Sequence, residues 1–233
     1  MSDAQRTAVV TGAGRGLGLE FARQLVQRGV AVLGTVRKPS PALEEVGATA
    51  LQLDVADADA IASFPEQVRE HCARVDLLIN NAGINSRGVG AGHANVRLGQ
   101  LEPEGILRMV RINAVAPVLV AQSLSGLLAD DAKVVSVSSW LGSIAKKSSG
   151  GNYGYCASKT TLNMLVRALA FDLAPRGITS VVVNPGWVST DMGGAKATLT
   201  PQQSVEGLLG VIDGLTVDDA GKFLQWDGTE HPW

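Results

Sequence analysis

Seven short runs rich in Val, Leu, Ile and Ala recur along the chain, at 6–12, 30–36, 48–55, 75–80, 133–139, 178–186 and 222–226. They are near-continuous apolar stretches, not alternations of apolar and polar residues, and a strand of that kind is covered on both faces. Between most of them lie stretches with apolar residues at helical spacing. Leu17, Phe21 and Leu25 form one such stripe before Gly29, and 58–72, 103–128, 153–174 and 200–213 supply the others. Pro117 should bend the 103–128 helix, and Pro201 suits a first helical turn. The alternation predicts an α/β chain with a doubly wound parallel sheet and helices on both faces. No linker or repeat divides the sequence, so one domain over 1–233 is expected. Residues 81–100 hold five glycines without a period and read as a loop.

Composition narrows the function classes. Hydrophobic residues make up 45% and charged residues 18%, enough apolar material for a core and too little charge for disorder. The net charge of -2 and the lack of a basic run argue against nucleic acid or a membrane surface as partner. No apolar run approaches the roughly 20 residues that span a bilayer. The N-terminus has no signal-like stretch, and Cys72 and Cys156 are far apart, as in a reducing compartment. A cytoplasmic protein is expected. The three histidines (His71, His93 and His231) are scattered without chelating spacing, so no metal site is expected.

The first strand runs into "TGAGRGLG" at 11–18, with glycines at Gly12, Gly16 and Gly18. Positions without side chains let the backbone turn sharply and let a pyrophosphate approach the free N–H groups of a helix start. Turn chemistry alone is the plain alternative. The end of the second strand bears on the nucleotide. An acidic residue there would bind the ribose 2′-hydroxyl of NAD, but 33–43 contains none and holds Arg37 and Lys38 instead. With Arg15 in the glycine turn, two guanidiniums are available for a 2′-phosphate, which points to NADP(H).

The chain's two tyrosines, Tyr153 and Tyr155, stand together at the start of the 153–174 helix. Lys159 follows Tyr155 by one helical turn, whereas the residue four after Tyr153 is Ala157. The Tyr155 face continues as Leu162, Val166, Leu169 and Leu173, so it points inward. A free phenol ionises near ~10, and a neighbouring ammonium would lower that value toward neutrality, suiting proton exchange with a carbonyl oxygen. A tyrosine at a helix start beside a snorkelling lysine is the bland alternative.

These residues have company: "LDV" at 53–55, "NNAG" at 80–83, "RINAVAP" around Asn113, "SVSS" at 136–139, "YCASK" at 155–159 and "NPGWVSTDM" at 184–192. Over essentially its whole length the chain resembles the short-chain dehydrogenase/reductase superfamily, with its Rossmann-type sheet. Its "GSIAKKSSGGNYGYCASKTTLNM" and its tail "DGTEHPW" look like the Sniffer-like and C-factor-like carbonyl reductases. The resemblance implies that Tyr155 is the proton donor or acceptor, that Lys159 lowers its pKa and holds the nicotinamide ribose, and that Ser139 bonds the substrate oxygen. It implies that Asn113 anchors a water of the proton relay. Asp54 and Val55 would contact adenine, with Gly12, Arg15, Gly16, Leu17, Gly18 and Arg37 on the phosphates. Asn81, Ala82 and Gly83 would line the cofactor floor, and Pro185, Gly186, Val188 and Thr190 would seat the nicotinamide amide. The spacing from Ser139 to Tyr155 is longer than in many members, so "KKSSGG" should bulge beside the site.

Trp140 and Trp187 should lie near the catalytic end, where they wall an apolar substrate or simply pack; Tyr153 and Met192 are further substrate candidates. The segment from Thr190 to Pro201 is short, which predicts an open site. The function implied is reversible NADPH-dependent reduction of a ketone or aldehyde. The alternative is a cofactor-binding regulatory or signalling protein of the C-factor-like type with little turnover. A homodimer or homotetramer through helices 103–128 and 153–174 is the family-level expectation.

Overall fold

A computed structural model describes residues 5–89 and 96–233. Seven strands form one sheet in the order β3-β2-β1-β4-β5-β6-β7, every pair parallel. They are β1 (Thr7–Val10), β2 (Ala31–Val36), β3 (Thr49–Gln52), β4 (Val75–Asn80), β5 (Leu128–Val137), β6 (Thr179–Asn184) and β7 (Phe223–Gln225). The expected doubly wound α/β sheet is present. β1 and β6 are buried at every position because both of their faces are covered.

Successive residues of a strand feed opposite cores. Ala8 and Val10 join Phe21 and Leu25 of α1 (Gly16–Gln27) and Leu208 and Ile212 of α7 (Pro201–Gly214). Val9 and Val134 face the other way, into Phe64 of α3 (Ala58–Arg69) and Val120 of α5 (Ala116–Ser123). Leu162 and Val166 of α6 (Tyr153–Leu173) pack on Val182 and Phe223. Asp57 caps α3 by accepting from the Asp59 and Ala60 amides, and Thr200 with Gln203 forms a capping box on α7.

The 103–128 region departs from the single bent helix expected. It divides into α4 (Pro103–Val110), a π-helical turn (Arg111–Val115) and α5. The distortion precedes Pro117, which lacks the N–H an uninterrupted ladder would need and sits in the first turn of α5. A short helix, α2 (Pro41–Glu45), was not anticipated; Pro41 stands at its first turn. A 3₁₀ turn (Ser86–Val89) lies in the glycine-rich loop, and His93 falls outside the described residues. Cys72 and Cys156 are free thiols. Among the described residues, no helix is long and apolar enough to cross a membrane.

Candidate active site

The cleft lies beyond the carboxyl ends of the strands, where β1 is flanked by β2 on one side and β4 on the other. That is the switch point at which doubly wound sheets bind ligands. A cavity of about 850 Å³ runs from Arg37 and Asp54 past the glycine turn to Tyr155 and Lys159.

The glycine turn is built by close contacts. Gly12 and Gly16 have φ of 66° and 56°, a region that favours glycine. A Cβ on Gly18 would lie 2.3 Å from the Gly12 carbonyl oxygen, so α1 starts directly against the turn. Thr35 at the end of β2 accepts from the Gly12 amide through its hydroxyl (3.2 Å). Asn81 donates its side-chain amide to the Thr11 and Gly12 carbonyls at 3.0 and 3.1 Å. Arg15 is the N-cap of α1, no side chain caps that helix, and its first turn has no acidic residue. Its leading N–H groups and the positive end of its dipole therefore face the cleft as an anion seat. Arg37 and Lys38 line the cleft at the end of β2, and Asp54 and Val55 line it beyond β3.

At the other end, α6 begins with Tyr153 and carries Tyr155 and Lys159 along the cleft. The Lys159 ammonium is buried and donates to the Val137 carbonyl at 2.8 Å, so the end of β5 fixes it. It lies 5.9 Å from the centroid of the Tyr155 ring. Burial pushes the Tyr155 phenol up to about 12, with the nearby Ser139 hydroxyl pulling the other way. Burial also pushes Lys159 down to about 8. For Tyr155 this direction is opposite to the depression expected from the sequence, and burial is its main cause.

The two candidate serines differ in their bonds. Ser138 is buried and donates to Asn163 at 2.7 Å. Ser139 starts the 3₁₀ turn (Trp140–Gly142) and accepts from the Leu141 amide at 3.2 Å, whereas Ser138 is the one of the two that lines the cleft. Asn113 sits in the π-helical turn with its side chain fully engaged. It accepts from the Ile84 amide at 2.8 Å and donates to the Ile84 carbonyl at 2.8 Å and to Ser158 at 3.0 Å. It thereby ties the segment after β4 to α6. Gly83 makes this possible, since a Cβ there would lie 3.1 Å from the Asn113 oxygen.

Several expected residues shape the cleft from behind. Gly186 backs onto Leu199 and Trp226, and Val188 is buried and bridges to Leu199, while Pro185 and Thr190 do line the cleft. Of the four substrate candidates only Met192 lines it; Trp140, Tyr153 and Trp187 stand half-exposed outside it. In the short segment after Thr190, the Met192 sulfur lies 3.9 Å from the Tyr155 hydroxyl. Asn184 was missed from the sequence. Its side-chain oxygen accepts from the amides of Trp140 and Gly186, at 3.1 and 3.2 Å, and so joins the Ser139 turn to the Pro185 turn. Its signals were a polar residue closing a run of valines and its place at the head of "NPGWVSTDM".

The sequence matches the family described as short chain dehydrogenase over residues 6–199. The chain belongs to the short-chain dehydrogenase family. It is similar to the C-signal protein of Myxococcus xanthus, with 42% identity over 161 residues covering 68% of this chain and 93% of that protein. Among solved structures, this short-chain dehydrogenase is similar to the carbonyl reductase Sniffer of D. melanogaster, with a TM-score of 0.88 and 27% identity covering 99% of this chain and 100% of that one. It is equally close to the NADPH-bound carbonyl reductase from chicken fatty liver, at a TM-score of 0.87 and 29% identity over 99% and 100% of the two chains. These likenesses put it on the Sniffer-like and C-signal-like side of the family.

Proposed function

We propose that this short-chain dehydrogenase reduces a ketone or aldehyde to an alcohol with NADPH, Tyr155 supplying the proton. The observation that carries the reading is one cleft with a cation-lined anion seat at one end and Tyr155 with Lys159 at the other. The cofactor fits the residues present. The uncapped start of α1 would take the pyrophosphate, and Arg15, Arg37 and Lys38 would take a 2′-phosphate. The NADPH-bound chicken reductase supports that choice by analogy.

When bound, the reduced nicotinamide supplies the hydride to the carbonyl carbon. The protein's part is the proton and the charge. The Tyr155 hydroxyl carries its proton at neutral pH and donates it to the carbonyl oxygen. Ser139 donates to the same oxygen as negative charge develops. Lys159, fixed by Val137, places a positive charge beneath the phenolate that Tyr155 becomes.

The test is NADPH consumption across a panel of aliphatic and aromatic ketones and aldehydes, alongside NADPH binding. Carbonyl-dependent consumption is expected. Tight NADPH binding with no turnover on any carbonyl would favour the regulatory alternative, toward which the likeness to the C-signal protein points. A cytoplasmic homo-oligomer is proposed on family grounds and is read by native mass measurement.

A further inference from the structure

Asp191 stands at a crossing that the proposed chemistry does not require. Its carboxylate accepts from Arg15 at 2.7 Å, and its backbone carbonyl accepts from Arg87 at 3.2 Å. The two guanidiniums come from different places, the glycine turn after β1 and the 3₁₀ turn after β4. Together they hold a segment that follows β6. The next residue, Met192, places its sulfur 3.9 Å from the Tyr155 hydroxyl. A carbonyl oxygen must come within about 3 Å of that hydroxyl to receive its proton. The segment is cross-linked within itself, Trp187 donating to the Gly193 carbonyl at 2.9 Å and Gly194 to the Thr190 carbonyl at 2.8 Å.

We propose that Asp191 is a positioning residue that couples cofactor binding to substrate access: it holds Arg15 and keeps Met192 over Tyr155 until a nucleotide phosphate takes Arg15 away. The inference rests on the NADP(H) reading above. Arg15 and Asp191 are about four-fifths exposed, at 78% and 80%, so their ion pair is screened and weak. A 2′-phosphate brings up to about two charges and three acceptor oxygens to the same guanidinium, and it repels the carboxylate. The phosphate therefore wins Arg15, and the segment bearing Met192 loses its tie to the glycine turn. By linkage, whatever favours the released segment also favours the cofactor, so substrate and cofactor assist each other's binding.

The probe is 2′,5′-ADP, which carries the 2′-phosphate but no nicotinamide to touch Met192. Its binding to the full chain is measured by calorimetry, and Met192 is followed by NMR of methyl-labelled methionine, assigned with Met192→Leu. Asp191→Asn is expected to tighten 2′,5′-ADP binding about two- to fivefold, the range an exposed ion pair can supply. That gain should vanish in the Arg15→Ala background. In the wild type, 2′,5′-ADP should move the Met192 methyl signal toward the position it holds in ligand-free Asp191→Asn. Binding with an unmoved Met192 signal, or a gain that persists without Arg15, overturns the clasp and leaves the cofactor reading intact. Failure of 2′,5′-ADP to bind overturns the cofactor reading and the clasp with it.

Discussion

Gly18→Ala adds one methyl group to the first turn of α1, where there is no room for it. The new Cβ would lie 2.3 Å from the Gly12 carbonyl oxygen and 2.5 Å from the Asn81 side-chain nitrogen, both inside the 3.0 Å that real Cβ contacts respect. Gly18 is not among the glycines with positive φ, so the cost is steric. The nearest atom belongs to the backbone of the turn that forms the anion seat, and it cannot rotate away. Overpacking of this kind costs about 1–3 kcal/mol. If α1 swings out to relieve it, the N–H groups leave the phosphate position, and the same energy appears as roughly 5- to 150-fold weaker NADPH binding. Calorimetric titration with NADPH and urea denaturation of the free protein together recover the whole cost. Adding Asn81→Ala removes only the 2.5 Å contact and leaves the 2.3 Å one, so it should not rescue binding. Gly29→Ala is the control: its φ is +77° with nothing within 4 Å, so it should cost about 1 kcal/mol of stability and leave NADPH affinity alone. Wild-type affinity together with a wild-type urea midpoint in Gly18→Ala would refute the reasoning.

Other perturbations separate the remaining roles. Arg37→Asp should lower the NADPH-to-NADH preference at least tenfold in kcat/KM; an unchanged ratio removes Arg37 from 2′-phosphate recognition. Ser139→Ala should cut kcat about a hundredfold, as loss of a donor to the developing oxyanion does. Ser138→Ala should act mainly on stability, by about 1–3 kcal/mol, because it strands the buried Asn163 oxygen. Lys159 has a folded pKa of about 8, below its unfolded value of 10.5, so between those pH values the unfolded chain binds the extra proton and stability rises with pH. Relative to Lys159→Met, the wild type should therefore gain about 2 kcal/mol in denaturation free energy from pH 7.5 to 9.5. A constant difference contradicts the buried ammonium.

Much of this molecule is legible in its sequence because the strongest signals are local. The run at 6–12 followed by three glycines can hardly be anything but a strand turning into a helix, and Tyr155 with Lys159 one turn later needs only helical geometry. The failures share a cause as well. Leu127 and Leu128 continue an apolar stripe that reads as helix, yet α5 stops at Ser123 and β5 begins at Leu128. Short apolar runs fit either period, and tertiary pairing with β4 decides. The π-helical turn at Arg111–Val115 left only Pro117 as a trace, and a proline does not say on which side the ladder slips. The raised phenol pKa could not be read from Tyr155 and Lys159 alone, since it depends on how deeply the fold buries the pair. Asp191 lay inside a recognised motif, but its partners Arg15 and Arg87 are 176 and 104 residues away.

The most direct measurement compares wild type and Tyr155→Phe for carbonyl-dependent NADPH oxidation at pH 7, with NADPH affinity measured in parallel. Loss of the single proton on this phenol should lower kcat by a factor of about 10²–10⁴ while the affinity stays within a few-fold. Equal turnover in the two proteins would contradict the assignment of Tyr155 as the proton donor.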